Sequence, residues 1–223
     1  MDLVKEMTAL RRSILMMGAV VEQRVQRAVK ALLEHDMELA REVRTGDREI
    51  DQMELEIEEE CLRVLALLHP VAGDLRFVLA VMRINANLER IADMAKSIAK
   101  RVLDLEQLHR IEMPPSLRMM ADSTCRMLSE ALVALSDQST VIAYRVRSDD
   151  QRIDDLLKEI FTWAQREIPH HVENTQAAID VLSVARKLER IADVATNIAE
   201  DVIFFAEGSL VRHETAKHIR AAG

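Results

Sequence analysis

The six residues Leu88-Glu89-Arg90-Ile91-Ala92-Asp93 recur unchanged as Leu188-Glu189-Arg190-Ile191-Ala192-Asp193. The residues that follow keep the same apolar frame, Ala95, Ile98 and Ala99 in one copy and Ala195, Ile198 and Ala199 in the other. Such a chain folds as two copies of one unit, each with an apolar face that needs partners. Each copy also carries Glu and Asp four residues apart, which on a helix share a face. Like charges there weaken the helix by roughly 0.2–0.5 kcal/mol unless something compensates. A bound cation is the sharpest compensator.

Hydrophobic residues make up 49% of the chain, charged residues 30% and aromatics only 3%, which favours long helices rich in Ala, Leu, Glu and Arg. Gly and Pro are sparse, and the breaks they mark fall at Gly46, His69-Pro70-Val71-Ala72-Gly73, Met113-Pro114-Pro115-Ser116, Pro169-His170-His171 and Gly208. These breaks predict helices over roughly 3–34, 36–68 with an interruption at Thr45-Gly46, 74–110, 116–147, 149–168 and 174–207. Leu88, Ile91, Ala95, Ile98 and Val102 keep one stripe at helical period, as do Leu188, Ile191, Ala195, Ile198 and Val202. Short turns make neighbouring helices antiparallel. The expected architecture is all-α: two tandem three-helix bundles, 1–111 and 116–210, meeting at Pro114-Pro115 and followed by a tail, 211–223.

The formal charge of −8 argues against a nucleic-acid surface, which needs clustered Lys and Arg, and suits a cation or a basic partner better. Cys61 and Cys125 lie far apart, with neither a CxxC pair nor a disulfide framework, so a reducing, cytoplasmic location is expected. Met1-Asp2-Leu3-Val4-Lys5-Glu6 lacks the basic-then-apolar layout of a signal peptide, and charges interrupt every apolar stretch before membrane-spanning length. No transmembrane segment is expected, although docking on a membrane complex stays open.

A second echo lies upstream of each motif. Asp47-Arg48-Glu49-Ile50-Asp51 and Asp150-Gln151-Arg152-Ile153-Asp154 both read Asp-x-x-Ile-Asp. Antiparallel helices that turn between Leu68 and Asp74 set residues opposite when their numbers sum to about 142, since both rise about 1.5 Å per residue; the same count is about 342 in the second half. Glu89 then faces position 53 and Asp93 position 49, while Glu189 faces 153 and Asp193 faces 149. Asp47, Asp51, Glu89 and Asp93 gather at one level, as do Asp150, Asp154, Glu189 and Asp193. An all-oxygen cluster of this kind suits hard cations such as Mg, Ca, Mn or oxidised iron; zinc is less expected without His or Cys. The same acids also read as solvated faces in a chain with 38 Asp and Glu, and a copied segment stays similar through ancestry alone. Yet the halves have drifted: Phe161 and Trp163 stand where the first half has the run Glu54, Glu56, Glu58, Glu59 and Glu60. The first half is expected to bind cations differently from the second.

Other motifs carry less. Glu106–His109 and Glu167–His170 match the Glu-x-x-His spacing of carboxylate-bridged di-iron bundles, but both sit at helix ends beside proline rather than mid-helix. His213 and His218 are spaced one residue too far apart for a zinc-protease helix. His170-His171 reads as loop decoration, and the twelve methionines as pliable core. The five glycines are scattered singly, so no phosphate loop forms, and no nucleophile motif is present. An enzyme is not indicated, and no phosphate pocket is evident.

Several longer stretches are more specific than any of these: Ile57-Glu58-Glu59-Glu60-Cys61-Leu62, Pro70-Val71-Ala72-Gly73-Asp74-Leu75-Arg76, Asn87 through Asp93, and Asn197-Ile198-Ala199-Glu200-Asp201-Val202 running into Glu207-Gly208. In these, and in its two Glu-x-x-x-Asp motifs, nearly the whole chain resembles the PhoU family of phosphate-uptake regulators. The resemblance implies a cytoplasmic, non-enzymatic adaptor that often forms a homodimer and binds multinuclear metal clusters of iron, magnesium, manganese, calcium or zinc. It implies metal ligation by Glu89, Asp93, Glu189 and Asp193, to which the helix arithmetic adds Asp47, Asp51, Asp150 and Asp154. It further implies coupling of a phosphate ABC transporter, through its ATPase subunit, to a sensor histidine kinase, so that plentiful phosphate restrains both uptake and the starvation response. Phosphate information is then expected to arrive through the transporter. One departure stands out: Ala92 and Ala192 occupy a position that is commonly Gly in the family, where a methyl restricts close approach. The readings set against this one are a di-iron enzyme and a metal-free helical scaffold.

Overall fold

The computed structural model describes residues 2–46, 48–105, 111–209 and 211, and among these the chain is helical, without a strand. The first half contains α1 (Leu3–Glu34), α2 (Met37–Thr45), α3 (Arg48–Leu68) and α4 (Ala72–Leu105). The second contains α5 (Pro115–Asp137), α6 (Thr140–His170) and, after a short 3-10 turn at Val172–Asn174, α7 (Thr175–Glu207). Each half is a three-helix unit, the middle member of the first being broken into α2 and α3.

Short polar side chains start several of these helices by accepting from orphan N–H groups: Asp2 from Val4, Asp36 from Leu39 and Ser139 from Ile142. The break at Thr45-Gly46 falls where the sequence places it. Its cause lies in α1, where the buried Arg24 guanidinium donates to the carbonyls of Val43 and Gly46, both at 2.9 Å, and so satisfies acceptors at the end of α2.

The expected helices 116–147 and 149–168 are corrected. The turn comes earlier, at Gln138, which takes the left-handed conformation (φ 53°) and closes α5 with an N–H bond to the Ala134 carbonyl. Ser139 then caps α6, which runs unbroken through residues 147–149. The Ser148 hydroxyl donates back to the Arg145 carbonyl instead of starting a helix. Pro169 lies inside the last turn of α6 rather than beyond it.

The apolar stripes merge into one core to which both halves contribute, with Leu88, Ile91 and Ile98 of α4 and Leu188, Ile191 and Ile198 of α7 fully buried. Within the first half α4 packs on α1, α2 and α3, and within the second α7 packs on α5 and α6; α4 and α7 also pack on each other. Two ion pairs fix their direction: Arg83–Asp201 at 3.3 Å and Arg101–Asp180 at 3.1 Å. Numbers rise along α4 as they fall along α7, so the pair is antiparallel. Both carboxylates are buried, which makes each arginine costly to remove. No helix among the described residues is long and apolar enough to cross a membrane.

Candidate metal centre

In the first half, α3 and α4 are held in register by Asn85, one turn before Glu89. Its buried side chain donates from Nδ2 to the Glu54 carbonyl at 2.9 Å. That bond brings Glu54 beside Glu89, and Asp51 near it from the same helix. The Glu89 carboxyl is raised above its ordinary range, first by burial, then by the charges of Asp93 and Glu54, a hydrogen bond with Asp93, and the charge of Asp51. Asp51, Glu54, Glu89 and Asp93 therefore converge. Asp47, the fourth member expected from the sequence, lies outside the described residues. Glu54 was not among the expected ligands. Its signal was present: it follows Asp51 by three residues, on the same helical face, at the level the hairpin arithmetic assigns to Glu89.

The second half brings together all four of its expected residues. Asp150, half-buried on α6, is pushed up to about 6 by burial and then by Asp193 and Asp154. Asp193 reaches about 6 through partial desolvation, Glu189 and Asp154, with Arg190 pulling the other way. Glu189 is raised by burial and Asp154, against Arg190 and Arg186, with Asp150 adding to the rise. Each patch is thus a set of carboxylates that disfavour one another's charge. Among the described residues none of the eight forms an ion pair.

The donor set, all oxygen and only partly offset by Arg186 and Arg190 in the second patch, fits a hard cation. As the side chains stand, no three His, Cys, Asp or Glu among the described residues close on a single point. Holding one ion by three of the described carboxylates in either patch therefore requires side-chain rotation, drawing together groups that otherwise repel. Ala92 and Ala192 are both buried in the helix packing.

The competing motifs fare differently. Glu167 accepts a hydrogen bond from Asn174 at 3.1 Å, tying the end of α6 to the turn before α7. Glu106, His109, His213 and His218 lie outside the described residues. Both cysteines are free, and burial with nearby acids pushes Cys61 up to about 12 and Cys125 to about 11, leaving them protonated and inert as nucleophiles.

Comparison with known proteins agrees with the duplication. The PhoU domain profile matches residues 14–102 and again 117–202. The chain is 37% identical over 220 residues to a phosphate-specific transport system accessory protein PhoU homolog of Pseudomonas putida, covering 97% of this chain and 85% of the relative. Its counterpart in Aquifex aeolicus is 33% identical over the full length of both. The fold superposes on the crystal structure of PhoU from Pseudomonas aeruginosa with a TM-score of 0.90 at 33% identity, covering 93% of this chain and 100% of that one. A phosphate transport system regulatory protein PhoU from Streptococcus pneumoniae superposes at 0.85 and 30% identity, covering 94% and 99%. With two domain matches spanning most of its length and relatives this similar across nearly all of it, the chain belongs to the PhoU family.

Proposed function

We propose that this protein is a regulatory accessory of a phosphate transport system, a cytoplasmic, non-enzymatic adaptor that binds metal through its two acidic patches. Its repeat units are 1–111 and 116–210. The ligands are Glu89 and Asp93 with Asp51, Asp47 and Glu54 in the first patch, and Glu189 and Asp193 with Asp150 and Asp154 in the second. The observation that carries the reading is the convergence of two carboxylate pairs in the second half, where Asp150 and Asp193 are both pushed up to about 6 with no cation in contact. A metal ion supplies the countercharge, and its remaining coordination positions offer a bridge to a partner. The names of the relatives, phosphate-specific transport system accessory proteins, support the process.

The partners proposed are the ATPase subunit of a phosphate ABC transporter and a sensor histidine kinase, met by a homodimer, with restraint of uptake and of the starvation response as the outcome. The test is co-purification of the transporter ATPase subunit with the wild-type chain and with Glu89→Ala/Asp93→Ala/Glu189→Ala/Asp193→Ala, alongside a phosphate-starvation reporter. Metal-dependent capture, lost with the reporter's restraint in the variant, is expected. Unchanged capture and restraint contradict the metal-linked adaptor and favour a metal-free scaffold.

A further inference from the structure

The groove between α4 and α7 holds a cavity of about 1040 Å³ whose cationic lining the metal reading does not use. Six lining residues are cations, Arg44, Arg90, Lys96, Lys100, Lys187 and Arg190, against two carboxylates, Asp93 and Asp193. In a chain of net charge −8 this concavity runs positive. The antiparallel direction set by Arg83–Asp201 and Arg101–Asp180 brings Lys187 about level with Lys96 across the groove. Arg44, Arg90, Lys100, Lys187 and Arg190 form no ion pair and no hydrogen bond among the described residues. Ser97 and Asn197, repeat equivalents that bring a hydroxyl and an amide, line the same cavity.

Three forked guanidiniums, ammonium groups and neutral donors make up the chemistry that recognises phosphoryl oxygens. The cations of α4 from Arg90 to Lys100 span about 15 Å of helix, more than a single tetrahedral anion covers. Met94 and Val194, the apolar side chains of the lining, are both buried, so no face is offered to an acyl chain. The acidic remainder of the surface repels a long polyanion such as nucleic acid.

We propose that this cleft binds a soluble anion bearing two or more phosphoryl groups, of the linear oligophosphate class, held between Arg90 of one repeat and Arg190 of the other. The choice of phosphate among anions rests on the regulatory reading above; the cationic cleft does not.

The test is calorimetric titration of tripolyphosphate into the full chain stripped of metal with EDTA, with orthophosphate and phosphatidylglycerol vesicles as separate arms. One tripolyphosphate per chain is expected, with affinity that falls as salt rises. Orthophosphate is expected to bind at least about tenfold more weakly, because it reaches fewer of the cations. Arg90→Gln/Arg190→Gln and, independently, Lys100→Gln/Lys187→Gln each weaken tripolyphosphate by about tenfold or more, since neutral amides keep the shape and lose the charge. Lys30→Gln/Lys158→Gln, on other faces, leaves binding unchanged. No binding of tripolyphosphate, equal loss in the Lys30/Lys158 control, orthophosphate binding as tightly, or binding to vesicles alone overturns the proposal. If the cleft variants still restrain phosphate uptake in cells, a failed titration removes the cleft and leaves the regulatory reading standing.

Discussion

The two acidic patches share a six-residue motif but stand it against different backdrops. In the first, Glu54 adds a carboxylate beside Glu89, and Asn85 pins the Glu54 carbonyl. Counting from the matched Asp51 and Asp154, Leu157 occupies the place of Glu54 and Phe161 that of Glu58. Counting along the motif helices, Ala185 stands for Asn85 and Arg186 for Ala86. Arg186 lies over the Phe161 ring at 5.0 Å and, with Arg190, partly offsets the charge around Glu189. Duplication therefore preserved the Glu-x-x-x-Asp carboxylate pair while the opposing helix diverged. The first patch gained acid and the second gained cation and aromatic surface, so the first should bind cations more tightly.

The largest effect is expected at the register anchor. Asn85→Ala leaves the Glu54 carbonyl without its α4 donor and loosens α3 from α4. Destabilisation of about 2 kcal/mol in urea unfolding is expected, together with weaker metal binding in the first patch only. Equal weakening of both patches breaks the comparison.

Exchanging the divergent position sharpens it. Glu54→Leu lowers cation affinity of the first patch about tenfold, a loss of about 1.4 kcal/mol, and Leu157→Glu raises that of the second by a similar factor. Single-patch metal titrations on the two variants check this, and affinities that stay put remove Glu54 from the site.

The smallest effect concerns protons. Asp150 and Asp193 titrate near 6 in the folded protein, above their ordinary 3.8, so the folded state holds protons more tightly than the unfolded one. Their contribution to stability accordingly falls as pH rises from about 4 to about 6, and the penalty is complete above that. Asp150→Asn/Asp193→Asn removes it. In EDTA the variant should be more stable than wild type at pH 7 by about 1 kcal/mol, a figure reduced for the solvent exposure of Asp193, and should match wild type near pH 3.5. The same difference at both pH values contradicts the electrostatic origin.

Much of this architecture could be read from the chain because a fixed helical rise converts residue numbers into heights. That arithmetic placed Asp150 and Asp154 beside Glu189 and Asp193 even though the expected boundary between α5 and α6 was misplaced. The boundary was missed because Gln138 adopts the left-handed conformation without a glycine or proline to announce it. Glu54 has no echo in the other half, where Leu157 stands, so the repeat pattern does not mark it. The cationic cleft was hidden for a different reason. It arises where α4 of one repeat crosses α7 of the other, a juxtaposition that neither the repeat pattern nor a net charge of −8 encodes.

The central claim is that each repeat holds metal through its own carboxylates. Elemental analysis tests it most directly, on purified wild type, Glu89→Ala/Asp93→Ala and Glu189→Ala/Asp193→Ala after equilibration with Mg, Mn, Fe and Zn. Stoichiometric metal in the wild type, with each variant losing its own patch's share and keeping the other's, is the predicted result. Equal, negligible metal in all three proteins contradicts it.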